Sequence, residues 1–442
     1  MNSKFSISVK DIRAIKNAEI DLNGITVLAG ENGCGKSTIS KLLYGFIKTS
    51  INFDADVSEF YSEKLSFLSS LLEDFIPKKN KNGLSLDFED NNFFDTPFSN
   101  HFFLTSSNSE KYLSEVIIPR IKLLRKKYET AEYSITNIAF TRLVRLYRKG
   151  VKETSASNIT ELLDDYENYI IKLIQEISEL RTTHNLKVFD SQFSKYFNEN
   201  TTNWNYTFKE YGSDLIDRKI KSVTFQKSFS KAIYIDVPTI FDTDSRNIRR
   251  DSPLSELSKI LSYEDDNPKN EVISNIIKEV LNGEISKSDD IFSKIFMYTA
   301  KDGKSIPLSQ AASGVKCFAV LERLYANGYL KKGTLLIVDE PEVHLHPKWI
   351  VEYARILVLV QKFLNTTILI ASHSPDMISA IKYISEKEKC SDSLSFYMAN
   401  EIDSKGFGKY EFENLGTNIE AIFNSFNIAL DRINQYGAFE DD

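Results

Sequence analysis

The chain has 442 residues, 42% of them hydrophobic and 26% charged, with a formal net charge of −7. That length allows two or three domains, and the balance is that of an ordinary globular protein, not a disordered or fibrous one. No apolar run reaches the roughly 18 residues of a membrane span, and the mildly acidic charge gives no support for nucleic acid beyond what local patches supply.

The first stretch, MNSKFSISVKDIRAIKNAEI, alternates apolar and polar residues and does not have the form of a signal peptide. Cys34, Cys317 and Cys390 show no paired spacing. That argues against a disulfide framework and fits a reducing cytoplasm.

Residues 25–38 read ITVLAGENGCGKST. An apolar strand, Ile25 to Ala29, runs into the pattern G-x-x-x-x-G-K-S, and a helical pattern follows (Ile39, Leu42, Leu43, Phe46). Strand, glycine loop and helix come in the order a phosphate-binding loop needs. Gly30, Gly33 and Gly35 let backbone N–H groups close around phosphates, and the helix N-terminus adds its positive dipole end. Asn32 and Thr38 belong to the same cradle. Lys36 is expected to reach the β- and γ-phosphates of ATP, and the Ser37 hydroxyl to bind Mg²⁺.

Residues 50–105 are aromatic and polar without clear period and read loosely as an elaboration of the same domain. From about 110 to 184 the pattern turns helical. Ile159, Leu163, Tyr166, Ile170, Leu173, Ile177 and Leu180 form a heptad seam. An earlier helix over 121–148 is expected as its antiparallel partner across a turn near Gly150. An internal helical bundle is the alternative. Arg142, Arg145, Lys149 and Lys152 lie at helical spacing, and Lys122, Arg125, Lys126 and Lys127 form a second basic cluster. These groups could touch nucleic-acid phosphates, dock an acidic partner, or be a solvated face. Arg246, Arg249 and Arg250 carry the same ambiguity. Residues 253–298 read as helices.

LSQAASGVK, residues 308–316, precedes an apolar-periodic run (Val315, Phe318, Ala319, Leu321, Leu324). Ser313 is expected as its N-cap, and a helix N-terminus with a free hydroxyl is an anion site. LLIVDEPEVHLHP, residues 335–347, opens with a continuous apolar run, as in a strand buried on both faces. Asp339 and Glu340 fall at its C-terminal end, where parallel sheets bind ligands. Asp339 would hold Mg²⁺, and Glu340 is the natural general base for an attacking water. His344 and His346 have ligand side chains, but no third ligand at suitable spacing is visible, so the carboxylates fit Mg²⁺ better than a transition metal. ILIASHSPDMI, residues 368–378, is a strand ending at His373. Residues 416–436 carry Ile419, Ile422, Phe423, Phe426, Leu430 and Ile433 at helical spacing, as in one amphipathic helix.

In these motifs the chain resembles the ABC-type ATPases of the SMC, RecF and OLD branch. GENGCGKST is similar to their Walker A, LLIVDEPEVHLHP to their Walker B with its D-loop, SHSP to their switch-histidine loop and LSQAASGVK to their signature. The resemblance implies an α/β fold, a P-loop ABC-ATPase head with an inserted α-helical coiled-coil hairpin. It implies the parts 1–105 (head with Walker A), 106–200 (helical insertion) and 201–442 (head with signature, Walker B and switch histidine). It also implies that His373 contacts the γ-phosphate and that Ser313 and Gly314 serve the nucleotide of a second copy, so that ATP is sandwiched in a dimer or higher homo-oligomer. The signature is not LSGGQ, and no Q-loop glutamine is evident; Asp236, Thr239 and Gln226 are the candidates. About 65 residues follow the His373 loop, too few for the TOPRIM nuclease that OLD proteins carry. The wording resembles ATPase subunits of bacterial anti-phage systems such as Septu, PARIS and certain retrons, which implies a separate nuclease or toxin effector as partner. The alternative is a DNA repair or maintenance ATPase of the RecF/SMC type that binds DNA directly, and a metal-dependent hydrolase comes last.

Overall fold

In chain order the strands are β1 (Phe5–Ile12), β2 (Ile15–Leu22), β3 (Ile25–Ala29), β4 (Asn205–Glu210), β5 (Ser213–Asp214), β6 (Ile216–Asp217), β7 (Ser222–Val223), β8 (Lys231–Ile235), β9 (Gly283–Lys287), β10 (Phe296–Ala300), β11 (Ser305–Pro307), β12 (Thr334–Asp339), β13 (Thr367–Ser372), β14 (Leu394–Asp403) and β15 (Lys409–Gly416). The main helices are α1 (Lys36–Phe60), α2 (Ser62–Asp74), α3 (Ile118–Glu129), α4 (Asn137–Gly150), α5 (Ile159–Thr182), α6 (Leu186–Lys195), α7 (Pro253–Ser262), α8 (Glu271–Leu281), α9 (Ser313–Ala326), α10 (Pro347–Leu364) and α11 (Pro375–Lys387). This is a computed structural model, and it describes residues 4–76, 109–236, 238–241, 252–262, 271–287, 296–403 and 408–424. The chain divides into two units, one of residues 1–51, 193–216 and 224–442 and the other of 52–192 and 217–223.

The first unit is built on a ten-stranded sheet in the order β5-β4-β1-β2-β15-β14-β3-β13-β12-β8. From β14 to β8 every pairing is parallel. Parallel strands must be covered on both faces, and every residue of β3 and β12 is buried. One face packs on helices: Ile25, Val27, Leu336, Val338, Ile368 and Ile370 share a core with residues of α7 to α11 such as Leu257, Ile277, Phe318, Leu357 and Ile381. An aromatic group packs α1 against the antiparallel wing, where Phe46 stacks on Phe208 at 4.0 Å and lies 6.1 Å from Phe5.

The second unit is helical. The α5 face Leu163, Tyr166, Ile170, Leu173 and Ile177 is buried, as the heptad spacing requires. Tyr166 is its centre: it stacks on Phe75 at 5.8 Å, meets Tyr147 edge-on at 6.1 Å and donates its hydroxyl to Leu68 O. Asn158 caps α5 by accepting from Glu161 N at 2.9 Å.

Several expectations are corrected. The partner helix over 121–148 is two helices, α3 and α4. The chain breaks at Ala131, whose φ of +58° is left-handed, and Thr136 opens α4 by accepting from Ala139 N. Residues 296–300, read as helix, form β10 between β9 and β11. The run Phe-Met-Tyr-Thr suits a pleated, half-buried surface better than a helix. The β14–β15 hairpin, antiparallel and central to the sheet, was not anticipated. Residues 77–105, the arginines at 246, 249 and 250, and the tail helix beyond residue 424 lie outside the described residues. The described start of that tail puts Ile419 and Ile422 into the core.

Candidate functional site

Strand register assembles the site. β3 pairs with β13 so that Ala29 lies beside Ser372, and β13 pairs with β12 so that Ala371 lies beside Asp339. Val338 lies beside Ile235 of β8, so the next residues, Asp339 and Asp236, leave the sheet side by side. The C-terminal ends of four adjacent parallel strands therefore carry the glycine loop, the His373 turn, the Asp339–Glu340 pair and Asp236. Ligands bind at such strand ends because the helices that follow point their N-termini there.

After β3 the loop Gly30–Gly35 turns into α1. Gly35 has φ of +104°, and a Cβ there would lie 2.5 Å from Ile15 Cγ1, so only glycine fits. A Cβ on Gly30 would meet the Ala399 methyl at 2.8 Å. Asn32 and Gly33 are exposed at the loop's crest. Lys36 is 3% exposed, and its ammonium donates to Gly30 O at 2.9 Å and Glu31 O at 2.8 Å. The charge is thus held inside the loop, where phosphate oxygens can replace those carbonyls. Thr38 is buried, with its amide on Gly35 O at 3.0 Å.

Asp339 is 4% exposed. Tyr234 donates to its Oδ2 at 2.5 Å, and the Ser37 hydroxyl lies close enough to favour its charged form. Burial raises its proton affinity, Tyr234 and then Ser37 lower it, and the Asp236 and Glu340 charges raise it again. Asp339 Oδ1 is buried with no donor on it among the described residues. A buried carboxylate oxygen without a donor is well matched to a hard cation, and the nearby Ser37 hydroxyl would supply a second oxygen. The residues present therefore fit Mg²⁺. Asp236 is raised by desolvation and then by Glu340, while Lys41 pulls it down.

Glu340 stands at φ +49° and ψ +52°, left-handed for a non-glycine residue, a conformation that concentrates at functional sites. Its N–H donates to Ala371 O at 2.8 Å, so the strain is fixed by the neighbouring strand. His373 Nδ1 lies 3.8 Å from Glu340 Oε1 and 3.2 Å from Glu342 Oε1. Glu342 is buried and accepts from Ser372 Oγ and His373 N, each at 2.8 Å.

Ser313 and Gly314 open α9, but the N-cap is Ala312, not Ser313, and no side chain caps the helix. The Ser313 hydroxyl instead donates to His344 O at 3.3 Å. A Cβ on Gly314 would fall 2.2 Å from the Trp349 ring, so this glycine lets α9 and α10 approach closely. His346 caps α10 through Nδ1, which accepts from Lys348 N at 3.3 Å. Among the described residues no group of three or more His, Cys, Asp or Glu side chains is arranged for a metal ion.

Of the Q-loop candidates, Gln226 uses both ends of its amide on Phe229, at 2.7 Å each. The Thr239 side chain lies outside the described residues, and Asp236 is beside Asp339. Tyr234 and Glu342 were not singled out from the sequence. Tyr234 lies within the continuous apolar run of the strand KAIYI, where it reads as an ordinary buried strand tyrosine. Glu342 was noted only as one carboxylate among several.

A sequence model of the family described as "AAA ATPase domain" matches residues 5–378. Among solved structures, the chain aligns with a Smc head domain with an extended coiled coil bound to the C-terminal domain of ScpA, from Pyrococcus furiosus. The identity is 12%, over 97% of this chain and 98% of that one, with a TM-score of 0.33. An SMC head domain from Thermotoga maritima aligns at 11% identity over 94% of this chain and 99% of that one, with a TM-score of 0.36.

Proposed function

We propose, for a chain that belongs to the AAA ATPase domain family and is an ATP-binding ATPase, that the residues gathered at the strand ends carry its hydrolysis. The observation that supports this reading most is the register that sets Ser372, Asp339 and the glycine loop at one end of adjacent parallel strands. Lys36 exchanges the Gly30 and Glu31 carbonyls for β- and γ-phosphate oxygens. Mg²⁺, when bound, neutralises charge on those phosphates, and Ser37 and Asp339 are the residues to hold it. Glu340 accepts a proton from the attacking water as the new oxygen–phosphorus bond forms and the bond to the ADP oxygen breaks. His373 contacts the γ-phosphate. Ser313 and Gly314 face the nucleotide of a second copy, so turnover needs an ATP-bridged dimer or higher oligomer.

In the cell, this chain acts as the sensor or regulatory subunit of a bacterial anti-phage complex that controls a separate nuclease or toxin effector. The DEPEVHLHP and SHSP wording supports this role. The test is a pull-down of the chain from its native locus with stoichiometric partners identified by mass. A bound nuclease or toxin supports the role, and recovery of the chain with DNA alone overturns it.

A second reading, a DNA-maintenance ATPase, is favoured by one observation. Lys122, Arg125 and Lys127 are ion-paired to Glu167, Asp164 and Glu132. Arg142, Arg145 and Lys149 on α4 are exposed, with no ion pair among the described residues. Strong salt-dependent DNA binding, lost on replacing these three, distinguishes this reading.

A further inference from the structure

We propose that Glu342 is a positioning residue that ties the His373 turn to the turn after Asp339 and, through it, to the first residue of α9. The inference rests on the reading of His373 as the γ-phosphate contact.

One oxygen of Glu342 gathers three groups of the neighbouring strand end. Oε1 accepts from Ser372 Oγ at 2.8 Å and from His373 N at 2.8 Å, and His373 Nδ1 lies 3.2 Å away. Ser372 Oγ in turn accepts from Ser374 N at 3.1 Å, and Ser374 Oγ accepts from Met377 N to cap α11. The whole 372–374 turn is therefore organised about this carboxylate. Glu342 itself belongs to the single 3-10 turn Pro341–His344. That turn begins at the strained Glu340 and ends at His344, whose carbonyl accepts from Ser313 Oγ at 3.3 Å. A short series of bonds thus leads from His373 through Glu342 and the 341–344 turn to the start of α9.

The Glu342 side chain is 5% exposed. Its Oε2 has no donor among the described residues, and the basic group beside the carboxylate is the His373 ring. Burying a carboxylate with so little compensation is unfavourable. An amide would hold the two donors of the 372–373 turn equally well, since either side chain presents one acceptor oxygen to them. What a carboxylate adds is negative charge against the imidazole. With Nδ1 turned to the carboxylate at 3.2 Å, the other ring nitrogen, Nε2, is left for the nucleotide side. A shift of His373 when the γ-phosphate is made or lost would pull on Glu342 and reach Ser313 through a turn too short to absorb it.

The test uses the full chain and three readouts: kcat for Mg-ATP hydrolysis, the Kd of a fluorescent ATP analogue, and hydrogen exchange at the backbone amides of residues 313–317 with and without nucleotide. With Glu342→Ala, kcat is expected to fall by roughly tenfold or more while Kd stays within about twofold, a loss confined to steps after binding. The nucleotide-dependent change in exchange at the start of α9 is expected to disappear. Glu342→Gln keeps the two turn hydrogen bonds and is expected to recover part of both losses. It also carries the test should the alanine variant fail to fold. Unchanged kcat in both variants overturns the inference, as does a parallel fall of kcat, affinity and thermal stability that glutamine fully repairs. Absence of ATP binding and turnover in the unmodified chain overturns the ATPase reading itself, and this inference with it.

Discussion

Tyr234 Oη sits 2.5 Å from Asp339 Oδ2 and joins β8 to β12 at the end of the sheet where the acidic residues gather. The phenol is the donor, so it favours the charged carboxylate that burial and the nearby Asp236 and Glu340 charges oppose. Tyr234 itself is held well above its ordinary proton affinity, first by burial and then by Asp339. Tyr234→Phe removes this bond and leaves the ring volume intact. A hydrogen bond to a charged group is worth about 1.5–3 kcal/mol, so denaturant unfolding is expected to show a loss of that order and the Mg²⁺ requirement for turnover to rise. Equal stability and equal Mg²⁺ dependence in the variant would remove Tyr234 from the site.

Glu340→Gln keeps the side chain's size and removes its ability to take a proton. ATP binding and ATP-dependent self-association are expected to persist, while turnover falls by about 100-fold or more, the usual scale for loss of a general base. Single-turnover hydrolysis checks this, and normal turnover rules out Glu340 as the base.

Gly314 sits against Trp349, and any side chain there must displace the ring. Gly314→Ala is expected to cost about 1–3 kcal/mol through overpacking. Pairing it with Trp349→Leu is expected to return most of the loss. The measurement is the unfolding midpoint of both variants, and no rescue by the second change means that the helix approach is not set by this contact.

Asp190 is 8% exposed, and burial raises its carboxyl above the ordinary range against the lowering pull of Arg218. A carboxylate raised on folding favours the folded state only while protonated. Its contribution is intact below the unfolded value and is lost as pH rises through the folded one. Asp190→Asn is therefore expected to raise the melting temperature at neutral pH and to converge with the unmodified chain in acid. Melting curves from pH 3 to pH 8 test this (about the span over which a carboxylate titrates), and a stabilisation that is independent of pH goes against the charge as its cause.

The candidate residues were legible because their motifs are local. Gly30 to Thr38 must be contiguous to cradle a phosphate, and the apolar run before Asp339 announces a strand buried on both faces. Gly35 is required by Ile15, but the glycine itself was readable from the loop pattern alone. The heptad of α5 was readable for a similar reason, since burial on one helical face imposes a period of its own. What failed were inferences about neighbours. A second helix was expected to run unbroken to Arg148 because nothing in the pattern weighs a left-handed Ala131. Residues 296–300 were read as helix because a short apolar run fits either period. Ser313 was placed as an N-cap on residue type, whereas its hydroxyl is taken by the carbonyl of His344, 31 positions on.

The sequence by itself determined the candidate residues: Lys36, Ser37, Asp339, Glu340 and His373, which we read as serving the nucleotide, its metal and the attacking water, all stand in contiguous motifs whose residue types follow from charge and oxygen-ligand chemistry. Only the tertiary structure decided what stands behind them. Tyr234 on Asp339, Glu342 beneath His373 and Trp349 against Gly314 are contacts between distant segments. Each depends on strand register and helix approach, and those are set by packing of the whole core, not by the residues beside them in the chain.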